Sequence, residues 1–190
     1  MLEKIAELDT NLLIYLNNLG TEFWDPFWLY FTEKITHLPL MLVFAFLLFK
    51  VLGAKRFAIS LLMIAIMIAA TDQLTNLAKH GFQRPRPCRV PELEGIIRYI
   101  AKRCSRYGYF SGHSSNSMAI AVFLGTCLKN KYKYAFLILV FWALCMGYSR
   151  IYIGVHYPAD LITGFSVGVL TGYLFYKLFF MLSKKYVTTT

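Results

Sequence analysis

The sequence predicts an all-α protein, a polytopic membrane helix bundle with five or six transmembrane helices and an amphipathic N-terminal helix. Two observations support this class. Hydrophobic residues make up 57% of the 190 residues, and the mean hydropathy of +0.51 is far above that of soluble domains. The apolar residues also gather into uninterrupted stretches near the length that a membrane span requires. The length fits a single membrane-embedded domain over residues 1–190.

The first predicted element is an amphipathic helix over residues 2–19. Apolar side chains recur there at helical spacing, while acids and amides occupy other positions. Such a helix lies in the membrane interface or packs against the bundle, and the sequence leaves both arrangements open. The apolar set consists of Ile5, Leu8, Leu12, Leu16 and Leu19.

The predicted membrane spans follow in chain order. The aromatic-rich segment 23–31 either lengthens the first span or forms a short span of its own, so the expected number is five or six. Uninterrupted apolar stretches predict the other boundaries, near residues 38–53, 57–78, 113–128, 133–149 and 159–180.

Basic residues indicate how the spans are oriented. If all five stretches cross the membrane, one side collects lysines and arginines without any acid, and the positive-inside rule makes that side cytoplasmic. The loops 79–110 and 150–160 then lie together on the outer side. The net charge of +10 also fits nucleic acid, but the apolar spans favour anionic lipid and argue against a nucleic-acid partner. The cytoplasmic set is Lys50, Lys55, Arg56, Lys129, Lys131, Lys133, Lys177, Lys184 and Lys185.

The four cysteines divide by location. Cys127 and Cys145 lie in predicted spans, where small apolar residues are ordinary. Cys88 and Cys104 share the outer loop, and an oxidising compartment permits a disulfide there. Because the sequence gives no distance between their Cα atoms, a bridge and two free thiols both remain open.

Three polar clusters interrupt the apolar chain and fit phosphate transfer. Transferring a phosphoryl group requires preplaced donors for its three equatorial oxygens, and Lys79, Arg86 and Arg150 can supply them. A single basic residue at a helix end more commonly extends its charge to the membrane interface. That alternative poorly explains three clusters on one side of the membrane.

The second cluster, Ser111-Gly112-His113, opens a predicted helix. Helix starts offer unpaired backbone N–H groups and a dipole that favours anions, and Gly112 permits close approach of the backbone to a phosphate. The alternative is that Ser111 is an ordinary helix cap. A cap alone does not require the imidazole of His113.

The third cluster contains a histidine and an acid at the start of the last helix. Pro158 suits the first turn, which places His156 just before it and Asp160 within it. Asp160 can accept the Nδ1 proton of His156 and leave Nε2 free as a nucleophile. A purely structural pair that ties the loop to the helix is the alternative.

The chain resembles the membrane lipid phosphatase branch of the type 2 phosphatidic acid phosphatase superfamily. One departure is Phe110, where the family commonly has proline. A second pair, Arg84-Pro85, is present, but spacing from Lys79 selects Arg86. Three motifs carry the resemblance, in order and in internal spacing: Lys79-x6-Arg86-Pro87, Ser111-Gly112-His113 and Ser149-Arg150-x5-His156-x3-Asp160.

The resemblance implies a role for each motif residue. His156 attacks phosphorus, Asp160 orients it, and His113 protonates the leaving oxygen before activating water against the phosphohistidine. The family implies neither a metal nor another cofactor. The phosphoryl oxygens are expected to be held by Lys79, Arg86, Arg150, the Ser111 hydroxyl and the Gly112 N–H.

Other polar residues are expected to be supportive. Asp72 shares a helix stripe with Asn76 and Lys79 and is expected to support Lys79 or a nearby arginine. His37 and His80 are expected at the interface or in loops. The outer loop's remaining cations either grip a second phosphate or sugar, or rest on anionic lipid; they are Arg89, Arg98, Lys102, Arg103 and Arg106.

The predicted function is a metal-independent phosphatase acting on a membrane lipid, in a bacterial inner membrane with the active site facing the periplasm or outside. Lipid A and undecaprenyl pyrophosphate are favoured substrates because both carry two phosphates. Phosphatidylglycerophosphate and phosphatidic acid remain open. A transporter or binder without turnover is the alternative class, which the intact His113, His156 and Asp160 disfavour. A haloperoxidase-like oxidant is a third possibility, which the membrane spans disfavour.

Overall fold

The computed structural model describes residues 2–186, and the all-α prediction is confirmed. These residues contain no strand, only an isolated bridge between Pro85 and Tyr107. Short 3-10 turns occupy Lys34–His37, Pro87–Arg89 and Pro91–Leu93. The helices of the described residues are α1 (Leu2–Asn18), α2 (Asp25–Phe31), α3 (Leu38–Phe82), α4 (Gly112–Leu128), α5 (Ala135–Tyr152) and α6 (Pro158–Tyr186).

The helix α3 unites two of the predicted spans. Its continuity is interrupted at Gly53, whose φ of +71° is accessible to glycine and costly for other residues. The arms on either side correspond to the stretches predicted near residues 38–53 and 57–78. By length and composition, three helical segments of the described chain can cross a membrane: Lys34–Phe82, Ala135–Tyr152 and Pro158–Lys185. The number of crossings therefore stays a prediction.

The helix α4 lies at the centre of the bundle. It packs most extensively against α6 and α5 and then against α3, and most of its side chains are buried. Glycines on α6 let the two backbones approach, because a Cβ at Gly164 would lie 2.7 Å from the Ser111 carbonyl oxygen and one at Gly168 would lie 2.5 Å from that of Ser115. Small residues commonly permit such contacts between membrane helices. This packing sets how close the starts of α4 and α6 can be.

The helix α1 has an apolar outer face and a partly polar inner face. Its exposed side includes Ile5, Leu8, Leu12 and Leu19 from the predicted apolar set. The buried side includes Asn17, whose side-chain amide donates to the carbonyl oxygens of Ile151 and Tyr152, both at 2.9 Å. α1 therefore packs against the bundle with both polar groups and apolar ones such as Leu13, and it leaves a further set of apolar side chains exposed. The segment 23–31 forms a separate short helix, α2.

Candidate active site

A cavity of about 340 Å³ lies between α3, α4 and α5 and collects residues from all three motifs. Lys79 comes from the last turn of α3, Arg86 from the following loop, and Gly112 and His113 from the first residues of α4. His156 enters from the connection between α5 and α6. The fold thus brings together cations, a helix start and two imidazoles that are distant in the sequence.

The His156–Asp160 pair is buried beside this cavity. His156 Nδ1 lies 3.1 Å from Asp160 Oδ2, which also accepts from the backbone N–H of Tyr157 at 3.1 Å. With Pro158 in the first turn of α6, Asp160 satisfies a free N–H at the helix start. A carboxylate at Nδ1 favours a proton there and leaves Nε2 with its lone pair.

Burial keeps His156 neutral. Removal from water lowers the pKa of His156 to about 4, and the hydrogen bond that His156 donates to Asp160 opposes this effect without cancelling it. The imidazole therefore carries a lone pair at neutral pH. That is the protonation state that a nucleophile requires.

The loop arginine Arg86 is held in the cavity by the backbone. Its Nε donates to the Tyr107 carbonyl oxygen at 3.1 Å, and its side chain is almost completely buried. Burial lowers the pKa of the Arg86 guanidinium, while the charge of Asp160 opposes that shift. The neighbouring Arg84 does not line the cavity and instead contacts Asp160 from outside it.

Arg150, the third cation predicted for the site, does not line the cavity and is held by a residue outside the three motifs. Arg150 Nη1 donates to Thr32 Oγ1 at 2.6 Å, and Ser149 Oγ lies 3.2 Å from the same oxygen. Arg150 Nε is buried and has no hydrogen-bond partner within residues 2–186. Thr32 lies 118 residues from Arg150 and outside every motif, so no local signal marks it.

Ser111 acts as the cap of α4. Its Oγ accepts from the backbone N–H of Ser114 at 3.3 Å and lies 3.0 Å from Ser114 Oγ. The backbone N–H of Ser111 donates to the Asp160 carbonyl oxygen at 3.0 Å, which joins the starts of α4 and α6. Ser111 itself does not line the cavity, whereas Gly112 and His113 do. A phosphate contact by the Ser111 hydroxyl therefore stays a prediction.

The cavity lining also includes apolar side chains and two polar residues that were not predicted for the site. His37 lines the cavity and is buried, with Nε2 2.6 Å from the Phe31 carbonyl oxygen and Nδ1 accepting from Trp142 Nε1 at 3.1 Å. Lys34 adds a cation that was not anticipated. The apolar lining consists of Met41, Ile68, Ile120, Trp142 and Met146.

Asp72 also reaches this cavity, but its hydrogen-bond partner differs from the expected one. Asp72 Oδ1 accepts from Asn116 Nδ2 at 2.7 Å, and Asn116 Oδ1 in turn contacts Thr71 Oγ1. Asp72 also interacts electrostatically with Lys79, as predicted, so the amide on α4 is an additional partner. The contact fixes α3 against α4 within the cavity lining.

The basic outer loop is engaged mainly in structural contacts. Arg98 forms an ion pair with Asp25 at 2.7 Å, and Arg89 donates to the Cys104 carbonyl oxygen at 2.7 Å. Cys88 and Cys104 lie in a disulfide, with their Cα atoms 6.3 Å apart. The expected loop cations do not line the cavity that holds His156.

The described residues contain no group of three or more His, Cys, Asp or Glu side chains that could hold a metal ion. The cavity is lined by imidazoles, by cations, by Asp72 and by Gly112 at the start of α4. The arrangement can bind a compact anion and attack it with a neutral imidazole.

Comparison with known proteins gives consistent matches. The family model described as the PAP2 superfamily matches residues 58–184. The chain is 33% identical to the lipid A 4'-phosphatase of Bacteroides thetaiotaomicron, covering 93% of this chain and 79% of the relative, and 32% identical to that of Porphyromonas gingivalis, covering 94% and 75%. These relatives and the apolar helices indicate a bacterial membrane protein.

A solved structure shares the fold. It is a transmembrane PAP2-type phosphatidylglycerolphosphate phosphatase from Bacillus subtilis, with a TM-score of 0.74 and 20% identity, covering 96% of this chain and 89% of that one. The family match covers all three motifs and most of the membrane helices. The chain therefore belongs to the PAP2 superfamily and is one of its lipid phosphatases.

Proposed function

We propose that this protein hydrolyses a phosphate monoester or pyrophosphate on a membrane lipid through a phosphohistidine at His156. The cavity is the observation that carries this proposal. It joins Lys79, Arg86 and His156 to a region of apolar side chains between membrane helices. A lipid phosphate has the same two parts, a compact anion attached to an apolar body, and can occupy both regions at once.

In the first step, His156 Nε2 attacks phosphorus while the bond from phosphorus to the lipid oxygen breaks. His113, which burial and the surrounding cations keep neutral without an anion, takes up a proton when the phosphate binds and gives it to the leaving oxygen, which produces the lipid product. Asp160 at Nδ1 stabilises the positive charge that develops on the His156 ring. The donors around the phosphoryl oxygens are Lys79, Arg86, Arg150 and the N–H groups at the start of α4.

In the second step, water attacks the phosphohistidine. Neutral His113 takes a proton from that water, the N–P bond breaks, and inorganic phosphate leaves. The two histidines return to their starting states, so no further reactant is needed. Arg150 Nε, buried without a partner in the described chain, gains an acceptor when a phosphoryl oxygen is bound.

Lipid A is the preferred substrate of this proposal. Its support is the similarity to two lipid A 4'-phosphatases over at least three quarters of their length. Undecaprenyl pyrophosphate is the second candidate, because Lys34 places one more cation in the same cavity for a second phosphate. Phosphatidylglycerophosphate and phosphatidic acid have the same phosphate chemistry and complete the set to be tested.

An outward-facing site in a bacterial inner membrane is part of the proposal. The cavity lies near the end of α3 and the start of α4, whereas Lys55, Arg56 and Lys129 lie at the other end of these helical segments. This charge distribution supports a cytoplasmic location for the end opposite the site. The disulfide in the loop that carries Arg86 also fits an oxidising compartment.

The test measures phosphate release by the purified protein in detergent from the four lipids, alongside His156→Ala. We expect release from at least one lipid and its loss in His156→Ala. His80→Ala is the matched control, because His80 is exposed at the end of α3 and should retain full activity. Folded protein that releases phosphate from none of the lipids would instead favour a binder or transporter. Halide oxidation with vanadate would favour the haloperoxidase alternative.

A further inference from the structure

Asp160 depends on a residue outside the cavity to balance its charge. Its side chain is completely buried, and an isolated carboxylate in such a place is strongly destabilising. Oδ2 contacts His156 and Tyr157, while Oδ1 accepts from Arg84 Nη1 at 2.9 Å. Arg84 therefore satisfies the oxygen that the histidine does not use.

Arg84 is in turn bound by a carboxylate from the N-terminal helix. Arg84 Nη2 donates to Asp9 Oδ2 at 2.6 Å, and the guanidinium carbon lies 3.9 Å from the centre of the Tyr157 ring. Asp9 Oδ1 accepts from the backbone N–H of Ala159 at 2.8 Å. One carboxylate of α1 thus contacts both Arg84 and the first turn of α6.

We propose that Arg84 and Asp9 are positioning residues that hold Asp160, and through it His156, in the geometry for attack on phosphorus. This inference rests on the proposed role of His156 as nucleophile. It makes α1 part of the active-site assembly, although α1 contributes nothing to the cavity lining. It also gives Arg84 a role distinct from that of Arg86 two residues later.

The physical reason is the number of contacts that fix one carboxylate. Arg84 is the donor to Oδ1 of Asp160, whereas Oδ2 has His156 and Tyr157, so loss of Arg84 leaves the buried Oδ1 without its donor. Burial alone would lower the pKa of Arg84, but the charges of Asp160 and Asp9 outweigh this effect and raise the pKa above its ordinary value. Arg84 therefore stays charged. A displaced Asp160 no longer orients the His156 ring, and misplacement of reacting groups by about 1 Å costs about 100-fold in rate.

The helix α1 also carries exposed apolar side chains. Ile5, Leu8 and Leu12 are exposed on α1, whereas Asp9 is buried. A helix with this pattern is held at a membrane interface by its apolar face.

The experiment determines kcat and KM on the best lipid substrate for Arg84→Gln, Arg84→Lys, Asp9→Asn and the double variant Asp9→Asn/Arg84→Gln. We expect Arg84→Gln to lower kcat about 100-fold with KM within about threefold, because the phosphate-binding cations remain. Arg84→Lys keeps the charge and should recover part of this loss. Asp9→Asn keeps the acceptor for Ala159 but loses the ion pair, and should lower kcat about tenfold.

The double variant tests whether Asp9 acts through Arg84. Coupled residues give non-additive effects, so the double variant should be no slower than Arg84→Gln alone. Arg103→Gln and Glu7→Gln are matched controls, because both residues are exposed on the same loop and the same helix, and both should keep wild-type kcat. Thermal unfolding checks that every variant is folded. If Arg84→Gln does not fold, Arg84→Lys and Asp9→Asn are used to test the proposal.

Three results overturn the proposal in distinguishable ways. A wild-type kcat in folded Arg84→Gln, with His156→Ala inactive, removes the positioning role and leaves the proposed function intact. A raised KM with unchanged kcat makes Arg84 a binding residue instead. If the losses in kcat of the two single variants multiply in the double variant, Asp9 acts independently of Arg84. By contrast, a wild-type protein that releases no phosphate from any lipid overturns the proposed function itself.

Discussion

The start of α6 is held by α4 on one side and by α1 on the other, and the two contacts rely on different physics. On the α4 side, Gly164 and Gly168 bring backbone against backbone, with no room for a side chain. On the α1 side, the contact consists of charges, in which Asp9 and Asp160 share Arg84. Both contacts involve the helix that begins beside His156 and carries Asp160.

The difference between the two sides indicates what each one controls. His113 belongs to α4 and His156 precedes α6, so the spacing between them depends on how closely the two helices pack. Glycine contacts set that spacing rigidly, since backbone atoms cannot move aside. The orientation and tautomer of His156 depend on Asp160, and the charges of the α1 side hold that carboxylate. Helix packing thus fixes the separation of His113 and His156, and the charges on the α1 side fix the orientation of the His156 ring.

The largest predicted effect comes from disrupting the glycine contacts between α4 and α6. Gly168→Leu places a side chain against the Ser115 carbonyl oxygen, which an added Cβ already approaches to 2.5 Å. We expect the free energy of unfolding to fall by about 3 kcal/mol or more, measured as a drop of about 6–12 °C in Tm in detergent. Gly81→Ala is the control, because nothing lies within 4 Å of the added Cβ, and its Tm should not fall. A wild-type Tm in Gly168→Leu would contradict close packing of α4 and α6.

The second prediction concerns the disulfide in the loop that carries Arg84 and Arg86, because this loop supplies the arginine of the charged contact with α1. Cys88 and Cys104 close 16 residues of that loop, and removing such a link costs about 3 kcal/mol by loop-closure entropy. Cys88→Ser/Cys104→Ser should therefore lower both Tm and kcat, whereas Cys145→Ala should change neither strongly. Digestion without reductant should release a peptide linked through both cysteines. Free thiols at both positions in protein isolated under oxidising conditions would reject the bridge.

The third prediction concerns the pH dependence of stability, which should depend on His156 and not on the glycine contacts. The folded-state pKa of His156 is about 4, below its ordinary value of 6.5, so its stabilising contribution is present above pH 6.5 and is lost as pH falls toward 4. Between pH 8 and pH 5, the wild type should lose about 2 kcal/mol more stability than His156→Gln. Thermal unfolding at both pH values measures this difference. Gly168→Leu should keep the wild-type pH dependence, and equal losses in wild type and His156→Gln would contradict the buried neutral state.

The order of helices and the motif residues could be predicted because their signals are local. Apolar stretches predicted the arms of α3 on either side of Gly53, as well as α4, α5 and α6. The spacing from Lys79 to Arg86 and from His156 to Asp160 lies within single turns or short loops, where sequence distance limits spatial distance. The fold class, the family and the enzyme class are confirmed for this reason. The number of membrane crossings remains a prediction, because composition does not decide whether short α2 and 17-residue α4 span a membrane.

The supporting residues could not be predicted because their partners are remote. Thr32 meets Arg150 across 118 residues, and Arg84 meets Asp9 across 75 and Asp160 across 76. Helical periodicity carries no information about such pairs. Lys34 was missed for the same reason, and the basic loop was instead considered for a second phosphate. His37 was placed at an interface or in a loop, but it is buried against Trp142.

The sequence by itself determined which chemical groups are available and in what order, since covalent spacing and hydrophobic periodicity act over a few residues. It determined an all-α membrane protein with three phosphate-directed motifs. Only the tertiary structure decided that Asp9 and Arg84 meet Asp160, and that Ser111 caps a helix while Gly112 and His113 face the cavity. These contacts depend on how helices pack through their glycines and buried charges, and that packing energy is shared among residues from the whole chain.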